Sequence, residues 1–209
     1  MLISKPSALV PNVIHPFQAI LIIGAGGYGQ VVADILSARP GRPEATLVPV
    51  GFLDDNPDRR GNHFVDLPIF GPFHYLTAVP HDGVFVAIEP NQARQQFVEY
   101  LLAQGERLVS AIHPSAVIGA GVTMGAGTII GPGAVVNTGA ALGRGVIVNA
   151  NSTVGHHSRL ADYVYLGSGA QLGSGDWIGA GAFIGAGAII TAQRQIQPGS
   201  IVPDGMVVY

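Results

Sequence analysis

The sequence predicts two units of different class in one chain, a small α/β domain followed by an all-β parallel solenoid with three sides. Three observations carry that expectation. From Ile118 every sixth residue is aliphatic or Met, running through Met124, Ile130, Val136, Leu142 and Val148 to Ile196 and Val202 without an insertion. Glycine most often follows the aliphatic, as at Gly119, Gly125 and Gly143, and the fifth place is usually small or β-branched, as at Thr128, Ala134 and Ala170. Ahead of these repeats, apolar strand-like runs alternate with helix-like ones, the order that builds a parallel sheet.

A period of six fits neither an α-helix nor a flat strand, so a stacked repeat is the consistent reading. Three hexads make one turn of a triangular coil, with the opening aliphatic and the fifth residue pointing inward and the third and fourth residues at the corners. Fifteen hexads therefore give five coils. Each buried aliphatic contributes roughly 1.5–3 kcal/mol before chain entropy is counted. One coil cannot shield both its faces, so stability accumulates along the stack.

The first half reads in order. Residues 1–17, interrupted by Pro6, Pro11 and Pro16, form an arm. Residues 18–110 form the α/β domain. Ala19–Ile23 is a strand, Gly24-Ala25-Gly26-Gly27-Tyr28-Gly29 a glycine turn, and Gln30–Ser37 a helix with Val31, Val32, Ile35 and Leu36 on its apolar side. Thr46–Leu53 is a second strand that ends in Asp54-Asp55, and Gly83–Ile88 is a third. A helix from Asn91 to about Gly105 and a strand at Leu108–Ile112 lead into the solenoid of residues 111–209.

The turn has the form G-x-G-x-x-G at Gly24, Gly26 and Gly29, placed between a strand and a helix, where backbone N–H groups can face a phosphate. A tight strand-to-helix turn that simply needs glycine is the alternative. Asp54, at the end of the next strand, stands where ribose hydroxyls would be met. A nicotinamide dinucleotide is the weaker fit, because such domains usually carry more strands than this length supplies.

Composition narrows the function further. Ten basic against thirteen acidic residues give a net charge of −3, and no basic run appears, which argues against nucleic acid. The absence of cysteine excludes disulfides, thiolate zinc sites and a cysteine nucleophile. The N-terminal segment lacks the unbroken apolar run of a signal peptide, and no segment reaches membrane-spanning length, so a soluble cytoplasmic protein is expected.

Taken together, the GAGGYG turn, the GFLDD strand end, LPIFG at Leu67–Gly71, VAIEPNQAR at Val86–Arg94, IHPSAVIGAGV and VNANSTVGHHSRLADYVYLGSGAQL resemble the bacterial sugar acetyltransferases of the PglD/NeuD type. These are nucleotide-amino-sugar N-acetyltransferases and sialic acid O-acetyltransferases. The resemblance implies a Rossmann-like α/β domain that holds a nucleotide sugar, followed by the left-handed parallel β-helix of the hexapeptide-repeat acyltransferases. By that resemblance Gly26, Gly27, Tyr28, Asp54, Asp55 and Arg94 bind the nucleotide sugar. His156 is the general base, with His157 beside it, and acetyl-CoA contacts Tyr165, Gly173, Ser174, Gly175, Ala186 and Gly205. The chain departs from the family at His157, where an acidic residue is usual, at Tyr165, where a histidine is usual, and at Glu89, where glycine is usual. It also ends at Tyr209 without the family's further coil.

The chemistry fits those residue types. Acyl transfer from a thioester to an amine needs a base for the nitrogen proton, and neutral imidazole suits that task. Both histidines occupy corner places of their hexad, not core ones. Glycine-rich corners around Gly173 offer backbone donors for the oxyanion. No carboxylate stands eighteen residues from either histidine, so no metal is expected. O-acetylation of a hydroxyl, a non-catalytic scaffold and a nicotinamide-binding module remain the rival readings. Finally, the outward column Ile129, Ile147, Tyr165, Phe183 and Ile201 is too apolar for solvent, which predicts a covering neighbour. Either the preceding domain lies over it or, as preferred, a second subunit does so in a threefold trimer. Trp177 is a further exposed aromatic.

Overall fold

The computed structural model describes residues 17–38 and 46–209. The arm expected over residues 1–17 lies outside the described residues except for Phe17, which opens the first strand. That strand, β1 (Phe17–Ile23), lies between β2 (Thr46–Leu53) and β5 (Gly83–Val86) in a sheet completed by β3 (His63–Phe64) and β4 (Leu67–Gly71), in the order β3-β4-β2-β1-β5. All neighbours run parallel except the short β3–β4 hairpin.

A central parallel strand is covered on both faces, so it reads as a continuous apolar run. Ile20 and Ile22 pack with Val32, Ile35 and Leu36 of α1 (Gly27–Ser37), while Leu21 and Ile23 pack with Val98 and Leu101 of α2 (Asn91–Ala103). Helix α1 starts three residues earlier than the sequence suggests, inside the glycine turn. Gly26 is its extended N-cap residue, and a Cβ on Gly29 would collide with the Gly24 carbonyl. The strand expected over Leu108–Ile112 is reduced to one bridge between Leu108 and Val84 and the pair Ala111–Ile112.

From β6 (Ala111–Ile112) to β22 (Val207–Val208) the chain forms a left-handed parallel β-helix of two-residue strands in three sheets. The first face carries the pairs at 111, 129, 147, 165, 183 and 201, the second those at 117, 135, 153, 171, 189 and 207, and the third those at 123, 141, 159, 177 and 195. The opening aliphatics from Ile130 to Val202 and the apolar fifth residues from Ala134 to Ala188 form one buried core. At the first coil that core is open, and Val117 and Ile118 are exposed.

Glycine has two distinct duties here. At the second place, as at Gly119, the next coil's backbone passes so close that no Cβ fits. At the fourth place the corner needs a left-handed backbone, and the glycines from Gly121 to Gly205 supply it at no steric cost. Asn151, His157, Tyr163 and Gln193 take up the same conformation without that freedom, at roughly 1–2 kcal/mol each.

The α/β domain sits on the first face of the prism. Ile129 and Ile147 are almost fully buried, in one cluster with Ile20, Ala25 and Val32. Two of the five residues of the apolar column are therefore covered by the chain's own domain, so the stripe taken whole is not an argument for a second subunit. An apolar outward residue reports that it is covered and does not report by what.

Candidate functional site

The glycine turn is built around Asp54. Its Oδ2 accepts from the Ala25 N–H at 2.7 Å and from Arg59 Nη1 at 2.8 Å, and its Oδ1 accepts from the Asn56 N–H at 2.9 Å. Partial burial raises its pKa, but the Ala25 and Asn56 amides and the Arg59 charge outweigh it and hold the carboxyl below its ordinary value. Asp55 is exposed and accepts from the Phe73 N–H at 2.7 Å. Both carboxylates therefore shape the loops beside the turn.

Gly26 gives α1 no side-chain cap, and a Cβ on Gly27 would meet nothing within 4 Å, so the positive end of the helix is open. The Arg59 guanidinium stands 3.7 Å from the place a Gly26 Cβ would occupy. Sequence reading missed Arg59. The signal that points to it is a cation five residues beyond the strand-end Asp54, where the two can pair.

Tyr28 and Arg94 lie deeper. The Tyr28 hydroxyl is buried without a partner among the described residues, and burial pushes its pKa well above the ordinary phenol value. Arg94 is 1% exposed and spends every donor it has. It donates to the Gly145, Tyr163, Ile88 and Glu89 carbonyls and to Asn91 Oδ1 at 2.6–3.1 Å. The expectation that Arg94 grips the nucleotide sugar is thereby corrected: its guanidinium clamps α2 to two successive coils at one corner of the β-helix and keeps no free N–H for a ligand. Burial brings its pKa down to about 10.

Where the domains meet, a cleft of about 860 Å³ opens between the Glu89–Gln95 segment and the first face of the prism. Tyr165 and Phe183 form its aromatic wall, with rings stacked 4.7 Å apart and nearly parallel at 5°, and Ile201 extends that wall. Burial first and the Glu89 charge second raise the Tyr165 pKa.

His156 and His157 occupy the corner between the second and third faces, the edge opposite the α/β domain. Both are exposed, with ring centroids 5.3 Å apart and planes at 83°. His157 has a φ of 57°, and its ring covers Gly139 on the preceding coil, so tightly that a Cβ there would collide with it. The following coil presents Gly173, Ser174 and Gly175. Gly173 N–H donates to the Ile190 carbonyl and Gly175 N–H to the His156 carbonyl, which leaves Ser174 N–H as the one amide of the three without a partner among the described residues. Of the amides expected around Gly173 as oxyanion donors, those of Gly173 and Gly175 are therefore already engaged.

Beneath this corner Asp176 points inward and is 1% exposed. Its Oδ1 accepts from the Arg194 N–H at 2.8 Å, its Oδ2 has no partner, and burial raises its pKa. Ala186 and Gly205 lie at the corner between the first and second faces, joined by a Gly205 N–H to Ala186 carbonyl bond of 2.8 Å. Within one chain the expected donor contacts therefore fall on two corners and one face. The structure brings Tyr165 to Glu89 and Tyr28, and it does not bring His156 to any of them. Among the described residues no group of three His, Asp or Glu side chains is placed to hold a metal, and no helix is long and apolar enough to cross a membrane.

Residues 19–101 match the family of the PglD N-terminal domain. No curated protein sequence gives a significant match. Among solved structures, a histidine-to-asparagine mutant of perosamine N-acetyltransferase from Caulobacter crescentus, in complex with CoA and GDP-perosamine, is 30% identical with a TM-score of 0.83, over 91% of this chain and 88% of that one. The acetyltransferase domain of PglB from Neisseria gonorrhoeae FA1090 is 31% identical with a TM-score of 0.83, over 92% and 91% of the two chains. The same domain in complex with acetyl coenzyme A is 29% identical with a TM-score of 0.67, over 92% and 96%.

Proposed function

From the premise that the chain belongs to the PglD/NeuD-type sugar acetyltransferases, we propose that it transfers an acetyl group from acetyl-CoA to the amino group of a nucleotide-linked sugar. The observation that carries this reading is the likeness, over nine-tenths of the chain, to an enzyme held with both CoA and GDP-perosamine.

The nucleotide's diphosphate is received at the open end of α1, where the Gly26 and Gly27 backbone and Arg59 offer positive charge. Asp54, fixed by the turn it organises, marks the ribose side. At the corner of the prism His156 takes a proton as the amine nitrogen attacks the thioester carbon. The carbon–sulfur bond then breaks, and the proton passes to the leaving CoA thiolate. Ser174 N–H is the donor best placed to meet the oxyanion, and Tyr165, Ala186 and Gly205 line the path of the donor.

This chemistry requires more than one chain. A nucleotide sugar on the α/β domain and His156 lie on opposite sides of one prism, so the acceptor meets the base of a neighbouring subunit. A homotrimer built around the β-helices provides that meeting, with Tyr165 of one chain facing the His156 corner of the next. Both co-substrates belong to the cytoplasm, and the product suits the assembly of surface polysaccharide.

The test is incubation with acetyl-CoA and a panel of UDP- and GDP-linked amino sugars. Release of free CoA with at least one of them is expected. No release with any panel member would overturn the reading. Light scattering should report three chains per particle, and a monomer that retains turnover would remove the shared site.

A further inference from the structure

The cleft between the domains has an unusual charge balance. Of the residues that line it, Glu89 alone is charged, and the rest are amides, glycine, alanine, proline, aromatics and Ile201. Glu89 is exposed to the cleft, and among the described residues its carboxylate makes neither a hydrogen bond nor an ion pair. The buried Arg94 cation lies within electrostatic reach of Glu89, but it bonds the Glu89 backbone carbonyl and spends its remaining donors elsewhere, so it makes no ion pair with the carboxylate. A cleft whose one lining charge is a carboxylate without a hydrogen-bond or ion-pair partner disfavours phosphate and favours a cation.

Its place gives that charge a purpose. Ile88, the residue before Glu89, lies 3.6 Å from where a Gly24 Cβ would sit, so the segment adjoins the glycine turn. The glycine turn carries the positive pole of Gly26 and Arg59, and the segment beside it carries the negative charge of Glu89. Nearby, the partnerless Tyr28 hydroxyl and the Tyr165 phenol both lie within electrostatic reach of the Glu89 carboxylate. A nucleotide amino sugar carries the matching pair of charges, an anionic diphosphate and a protonated amine.

We propose that Glu89 is the residue by which this enzyme recognises the acceptor's amine, its carboxylate receiving the ammonium in the cleft while the Tyr165–Phe183 wall packs against the sugar. The inference rests on the proposed N-acetyltransferase function and adds a selectivity to it: an acceptor with a hydroxyl in place of the amine forfeits the ion pair. Glu89 receives the acceptor as the ammonium; that first proton is lost to solvent to free the nitrogen lone pair, and the second N–H proton leaves through His156 to the CoA thiolate as the amide forms.

Calorimetric titration of the full chain with a panel of UDP- and GDP-amino sugars, each paired with its hydroxyl counterpart, tests this directly. Wild type should bind the preferred amine about tenfold tighter than the hydroxyl partner, the scale of one charge-assisted bond. Glu89→Gln and Glu89→Gly, both at an exposed site that keeps the carbonyl used by Arg94, should bring the ratio close to one. Affinity for the hydroxyl partner and for CoA should stay unchanged. Variants that keep the wild-type ratio would overturn the role of Glu89 while leaving the N-acetyltransferase reading intact. Wild type that binds CoA but no nucleotide sugar would instead overturn that reading, and this inference with it.

Discussion

The two halves of the molecule are both parallel β-structure, yet they distribute their interactions in opposite ways. In the β-helix each role is repeated: Val148, Leu166, Ile184 and Val202 are the same inward position on successive coils of the first face. In the α/β domain each role is filled once: one Asp54 organises the turn and one Arg94 joins the domain to the prism. A residue that interrupts the repeat is thus as singular as a unique residue of the domain. His157, Tyr163 and Asp176 are such interruptions, at places where the pattern prefers glycine or a small residue.

If that contrast holds, the largest effect falls on chemistry and spares the fold. His156→Ala should lower kcat by roughly 10²–10⁴-fold, as expected for loss of a general base, while the melting temperature stays put because the corner backbone is unchanged. Retained turnover would remove His156 from that role. Arg94→Met should cost about 3–5 kcal/mol in a urea titration, since several carbonyls at the domain junction lose a charged donor. A single transition with an unchanged midpoint would show that the junction does not depend on the clamp.

Leu166→Ala should cost about 2–5 kcal/mol through the cavity it leaves, and a loss well below that range would mean that neighbouring coils collapse into the space. Asp176→Asn should show its effect through pH. The raised folded-state pKa means that folding disfavours the ionised form, so wild type is relatively most stable below the unfolded value near pH 4 and loses that stability as pH rises through the folded pKa. The variant, which keeps the oxygen for Arg194 N–H, should therefore melt higher than wild type at pH 7 and lose that advantage at low pH. An equal difference at both pH values would contradict the burial argument. The smallest change is His157→Gly, which relieves a left-handed side chain and should stabilise the chain by about 1 kcal/mol in the same urea assay.

Much of the architecture was legible because the repeat states it aloud. Inward places such as Leu166 and Ala170 follow from the period alone, and both are fully buried. The α/β strands were legible where burial on both faces makes a run continuous, as in β1, and less so at Leu108–Ile112, where the chain is already turning into the first coil. What the residues did not disclose was pairing across long separations. That Ile129 and Ile147 meet α1 depends on how one domain folds back on another, which no local pattern encodes. Arg94 was expected as a ligand contact from the family resemblance alone, and only the folded chain reveals the carbonyls 51 and 69 residues away that occupy it. The exposed corner place of His156 and His157 followed from their position in the hexad. Their distance from the α/β domain did not, because it depends on which of three faces that domain chose.

The eighteen-residue registration of the prism, Ile129 over Ile147 over Tyr165, also governs how the gene can change. A deletion of one whole coil shortens the stack and leaves each remaining column facing the same way. A deletion of six residues would instead rotate everything downstream by a third of a revolution, sending the continuation of the aromatic wall around to another side. Length variation in a chain of this design is thus quantised, and the quantum is a full turn.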